Sequence, residues 1–164
     1  MNRMLRHLLM TRWTLRRAFP ASTLAAIEAA IRAAEREHSG EIRFAIEGCL
    51  HFQRLRARHD ARHRALELFS KLRVWDTAHN NGVLIYLLLA DRDIQIVADR
   101  GFGGRVAAAE WEAVSPCMEA ELRAGQFEAG ALAGIRRASA LIARHFPWAP
   151  GDRNELPDAP VVID

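Results

Sequence analysis

The residues Val83 to Ala90, VLIYLLLA, form an unbroken apolar run directly after the turn signal Asn80-Asn81-Gly82. The run is well short of the roughly 18 apolar residues a membrane span needs. It is also too continuous for a strand with one face in water. It predicts a central strand buried on both faces, in a sheet covered on either side. Asp91-Arg92 connects it tightly to DIQIVAD, where Ile94, Ile96 and Ala98 alternate with other residues. Two such segments so closely joined predict a hairpin.

The rest of the chain supplies the covering layers. Leu24, Ile27, Ile31 and Ala34 recur with a helical period over 22–38, with Ser22 as the expected cap and Ser39-Gly40 as the stop. EIRFAIE, 41–47, alternates as a strand does. Residues 54–72 predict a helix whose apolar stripe is Leu66, Phe69 and Leu72. Beyond Gly101-Phe102-Gly103-Gly104 come two helices, 106–124 and 127–145, separated by Gly125, and Pro116 interrupts the first. The chain has 29 Ala among its 164 residues, which favours helix wherever strands are not formed. In this order the first strand runs parallel to the second through a right-handed crossover, and the third returns antiparallel. The expected fold is a three-layer α/β/α sandwich around a small mixed sheet. Its expected parts are a basic arm (1–21), the sandwich (22–146) and a Pro-rich, acidic, mobile tail (147–164).

Charge is distributed unevenly. The net charge is +3, and the basic residues are 22 Arg and one Lys. Residues 1–17 hold five Arg and no acid; residues 51–64 hold five Arg and one Asp; residues 151–164 hold four acids and one Arg. The sandwich itself is near neutral and has few aromatics beside its Arg run, which disfavours nucleic acid. Met4, Leu5, Leu8, Leu9 and Trp13 share one side of a basic helix in the arm, and helices of this type lie on anionic lipid. The plainer reading, favoured for a terminal segment, is a loosely ordered leader or an arm docked on its own domain. No secretory leader is apparent, so the expected location is the cytoplasm, with contact to the inner membrane through residues 1–17. Cys49 and Cys117 have no metal-ligand spacing and are expected to be buried thiols.

The string WDTAHNNGVLIYLLLADRDIQIVADRGF (75–102) resembles the core of the TPM domain family. Further matches are Gly40-Glu41-Ile42, Ala65-Leu66-Glu67-Leu68-Phe69, and Arg123-Ala124-Gly125-Gln126-Phe127 followed by Ala133-Gly134-Ile135. The chain is most similar to the short, single-domain bacterial branch. The resemblance implies the α/β/α sandwich, and it implies roles that vary: acid phosphatase activity, divalent cation binding, or maintenance of membrane protein complexes. Two departures bear on these. Asn80 stands where many relatives have an acid, and Phe102-Gly103-Gly104-Arg105 supplies no Glu where many relatives have one. Both remove carboxylates from the place where Ca2+ or Mg2+ would take oxygen ligands. Asp76, Asn81 and Asp99 are the remaining metal candidates.

Loops 38–41, 77–82 and 99–105 gather at one end of the expected sheet. Glu41, Asn80, Asn81 and Gly82 make its polar rim. Arg100, Gly101, Gly103, Gly104 and Arg105 form a glycine-rich strand-to-helix junction. This either holds an anion on backbone N–H groups or simply turns sharply. Two functions are expected to compete. One is an interaction or membrane-protein-maintenance module that binds a protein partner or an anion at this end. The other is a weak phosphomonoester hydrolase in which Asp76 and Asp99 are catalytic, although no nucleophile accompanies them. His59 and His63 have the i, i+4 spacing of metal ligands, but the surrounding Arg run favours a basic partner-binding face.

Overall fold

A computed structural model describes residues 2–57 and 60–163, so Arg58 and the pairing of His59 with His63 lie outside the described residues. In chain order the elements are α1 (Arg3–Leu9), α2 (Arg12–Ala18), α3 (Ala21–Ala34), β1 (Glu41–Glu47), α4 (Phe52–Arg56), α5 (Ala61–Lys71), β2 (Gly82–Leu88), β3 (Asp93–Ala98), α6 (Ala108–Glu112), α7 (Val114–Arg123), α8 (Phe127–His145) and β4 (Val161–Ile163). The sheet order is β3-β2-β1-β4. β1 runs parallel to β2 with Glu41 opposite Gly82, and β3 is antiparallel to β2 with Val83 opposite Ala98. The expected topology of the first three strands is the one observed.

β2 is buried along its whole length, as its unbroken apolar run requires. Its side chains divide by parity between two cores. Val83, Ile85 and Leu87 join Ile42, Phe44 and Ile46 beneath α3, α7 and α8, with Ile27, Ile31, Met118, Ile135 and Ile142. Leu84, Tyr86 and Leu88 face α5 with Ala45, Ala65 and Leu68. Helices therefore cover both faces, and the α/β/α sandwich stands.

Several expectations are corrected. The tail is not free. Val161–Ile163 adds β4 to the open edge of β1, in parallel, with Ala45 opposite Val161. Leu156 is buried in the second core. The arm is docked on its own domain, as one of its readings had it: Leu15 and Phe19 enter the first core. α3 begins at Ala21 with Pro20 as its cap, so Ser22 lies inside the helix and does not cap it. On α5 the expected stripe holds only in part, since Phe69 and Leu72 pack against the second core and Leu66 does not. Ala61, Arg64, Ala65 and Leu68 are buried and Leu66 is exposed, because small alanines let the helix sit close to β2. Trp75 is exposed beside Arg73 and is no core residue. Of the two thiols, Cys117 is exposed and Cys49 is partly exposed.

The reason the tail folds is written on β1. Its polar positions Glu41, Arg43 and Glu47 are all buried, so each needs partners. Glu41 accepts from the backbone N–H groups of Glu155 (3.0 Å) and Leu156 (3.1 Å). Arg43 donates to the carbonyl oxygens of Pro157 and, at 3.1 Å, Ala159. Glu47 accepts from Arg64 Nε (2.8 Å), Arg64 Nη2 (3.1 Å) and the Tyr86 hydroxyl (2.8 Å). Two of the three charges on this face are thus satisfied by the tail.

Candidate functional site

The loops at the β1 and β2 starts and the β3 end meet, and backbone bonds hold them together. Asn81 is fully buried. Its Nδ2 donates to the Ser39 carbonyl at 2.6 Å, its N–H donates to Thr77 Oγ1 at 3.0 Å, and its own carbonyl accepts from Glu41 N–H at 3.3 Å. Asn80 takes a left-handed φ of 52°, which Asn tolerates better than most residues. Its carbonyl then accepts the Gly101 N–H at 2.9 Å. The glycines follow from this crowding. A Cβ on Gly82 would lie 1.9 Å from the Val74 carbonyl oxygen, and one on Gly101 would lie 2.4 Å from that of Asn80.

The same bonds consume most of the donors that an anion cradle would need. Asp99 Oδ1 accepts from Arg100 N–H at 2.7 Å. Gly101 donates to Asn80, Phe102 to Asp99, and Gly103 to Arg100. The segment Arg100–Phe102 is a short 3₁₀ turn capped by Asp99, and Gly104 stands in the left-handed region at φ 72° with open space around its Cβ position. Its local geometry is that of a sharp turn.

The candidate residues divide among separate surfaces. Asp99, Arg100 and Gly103 line a cleft of about 730 Å³ along the outer edge of β3, with Arg62, Trp111 and Ser115. Two edge carbonyls there are already engaged, Ile96 by Arg62 and Ile94 by Ser115. Gly101 and Arg105 line a second cleft of about 380 Å³ with Ser39, His79, His145 and Phe146. Asp76 lines neither; it is exposed and pairs with Arg73 at 3.1 Å. Glu41 points away from the loops into the tail.

These positions do not fit a Ca2+ or Mg2+ ion. Asp76 is exposed and held by Arg73, outside the cleft that Asp99 lines, and Asp99 and Asn81 each keep only one uncommitted oxygen, Oδ2 and Oδ1. Among the described residues no three His, Cys, Asp or Glu side chains are grouped to hold a metal. A hard cation takes six or more oxygens and prefers several carboxylates among them.

The second cleft is cationic. Arg105 lies over the Phe146 ring at 5.4 Å from its centroid and makes no ion pair among the described residues. His79 and His145 line the same space. An aromatic face under a guanidinium holds the cation in place without neutralising it.

A matching profile of the TPM domain spans residues 16–141. The chain belongs to the TPM domain family. Its fold is similar to the solution structure of the BA42 protein from the psychrophilic bacterium Bizionia argentinensis. The two share 32% identity over 87% of this chain and 93% of that one, with a TM-score of 0.74. Comparison with curated proteins returned no match.

This TPM domain also carries a partly buried polar cluster that patterning does not single out. Glu35 Oε1 accepts the Ile42 N–H at 2.9 Å, and Asp158 accepts from Arg32 Nε at 3.0 Å. Burial pushes the Glu35 carboxyl up to about 8, against the opposing bond from Ile42, and pushes Glu41 up to about 7. Nearby, burial takes His38 down to about 4. The signal for Glu35 is its place at the C-cap of α3, four residues after the buried Ile31. His79 and His145 have no such signal, because only the tertiary fold brings their loop and helix end together.

Proposed function

We propose that this TPM domain works as a recognition module in the cytoplasm, taking an anionic group of a protein partner at the sheet end. The cleft lined by Ser39, His79, Gly101, Arg105 and His145 is the receiving surface. The observation that carries this reading is Arg105, stacked on Phe146 and without a carboxylate partner among the described residues. A carboxylate or phosphate entering the cleft meets a pre-positioned guanidinium with two imidazoles close by, and the backbone there is held rigid by the Asn80–Gly101 and Asn81–Ser39 bonds. A role in maintaining membrane protein complexes, which the family resemblance implies, fits a module of this kind.

A second reading, phosphomonoester hydrolysis, rests on the uncommitted Asp99 Oδ2 beside Arg100. It is the weaker one, since Asp76 and Arg105 do not share the Asp99 cleft, and the hydroxyl that lines it, Ser115, donates to the Ile94 carbonyl. Turnover of p-nitrophenyl phosphate, with and without Mg2+ or Ca2+, separates the two. Wild type and an Asp76→Ala, Asp99→Ala double variant are expected to give the same background. Metal-dependent turnover lost in the double variant would replace recognition by hydrolysis.

A further inference from the structure

The first helix is docked with its faces reversed. Arg3, Arg6 and His7 turn toward the domain. Arg3 Nη2 and Arg6 Nη2 lie 2.8 and 3.2 Å from the Asp91 carboxylate, and His7 Nε2 lies 3.1 Å from it. His7 Nδ1 accepts the Leu50 N–H at 3.0 Å, and Met10 packs against the first core. The opposite side of α1 carries Met4, Leu5, Leu8 and Leu9, which are 38%, 46%, 69% and 59% exposed, and Trp13 on α2 is 67% exposed. A surface helix ordinarily buries its apolar stripe and gives its charges to water. Here a nearly buried Asp91 selects the polar face, and the apolar face is left for something else to cover.

The surrounding charge says what that is. Residues 1–17 contain no acid, and Arg12, Arg16 and Arg17 are exposed around Trp13, with Arg17 5.3 Å from its ring centroid. We propose that α1 and α2 form a docking surface for an anionic lipid bilayer. Met4, Leu5, Leu8 and Leu9 enter the acyl boundary, Trp13 sits at the headgroup level, and the α2 arginines meet lipid phosphates. The Asp91 contacts hold the helix in this presentation. A second copy of the chain is the poorer occupant, because apposed arms would bring two arginine sets together with no acid in 1–17 to answer them. The surface is separate from the sheet-end cleft, so the two readings stand or fall independently.

The test is sedimentation of the full chain with phosphatidylcholine vesicles, with and without phosphatidylglycerol, over a range of NaCl. Wild type is expected to bind only the phosphatidylglycerol vesicles, less so as salt rises. A Leu8→Ser, Leu9→Ser variant is expected to bind about tenfold more weakly or worse. Both leucines are exposed, so its helical circular dichroism is expected to match wild type. The proposal is overturned if wild type ignores phosphatidylglycerol, or if the double variant binds equally well. It is also overturned by a wild-type dimer that the double variant dissolves, which would make the face a self-interface.

Discussion

Asn81 joins the starts of the two parallel strands, its Nδ2 giving the Ser39 carbonyl a 2.6 Å hydrogen bond in a place with no access to water. The bond spans loops that only the β1–β2 pairing brings together. Replacing Asn81 by Ala leaves that carbonyl without this donor, and is expected to cost about 1–3 kcal/mol. Urea unfolding of Asn81→Ala measures it. An unchanged midpoint would mean that the β1–β2 ladder alone sets the loops.

The Glu47, Arg64 and Tyr86 cluster makes a graded prediction. Glu47 and Arg64 are both buried, and the Tyr86 hydroxyl completes the carboxylate's partners at 2.8 Å. Burial, with the Glu47 charge beside it, pushes the Tyr86 hydroxyl well above its ordinary range. Arg64→Ala strands a buried carboxylate and is expected to cost about 3–5 kcal/mol. Tyr86→Phe removes one neutral donor, and the expected loss is about 1–2 kcal/mol. Equal losses would contradict the assignment of Arg64 as the principal counter-charge.

Glu35 sets the sign of the pH dependence near neutrality. Its carboxyl is near 8 in the folded protein against an ordinary 4.5, and Glu41 is near 7. The folded state therefore holds these protons more tightly than the unfolded chain. Their contribution is complete below about 4.5 and is lost as pH rises toward 8. His38 works at lower pH, its contribution being lost as pH falls from 6.5 toward 4. Between pH 6.5 and 8 wild type is expected to lose about 2–3 kcal/mol from the two carboxyls together. Glu35→Gln keeps an acceptor for Ile42 and is expected to lose less. Stability rising over that window would show Glu35 to be ionised in the fold.

How far the sequence determines this molecule can be seen strand by strand. The limits of β1 at Glu41 and Glu47 follow from alternation, and the burial of β2 follows from an apolar run with no polar interruption. Alternation on β1 nevertheless misleads about exposure. Glu41, Arg43 and Glu47 read as a water-facing row, but they are buried beneath the tail and Arg64. Three residues, Val161–Ile163, among four prolines from 147 onward carry too little pattern to announce a strand; β4 exists because β1 offers an edge. The reversed docking of α1 is equally hidden, since it depends on Asp91, which is 84 residues beyond His7. At the sheet end the convergence of the three loops was legible from topology. The separation of Asp76, Asp99 and Arg105 onto different surfaces was not, because it depends on a salt bridge, a 3₁₀ turn and a ring stack.

The most direct test of anion recognition is an amide-resonance titration of the full chain with inorganic phosphate. Saturable shifts are expected at Ser39, His79, Gly101, Arg105 and His145, and Arg105→Ala is expected to abolish them. Shifts confined to Asp99, Arg100 and Gly103, or a response that survives Arg105→Ala, would contradict it.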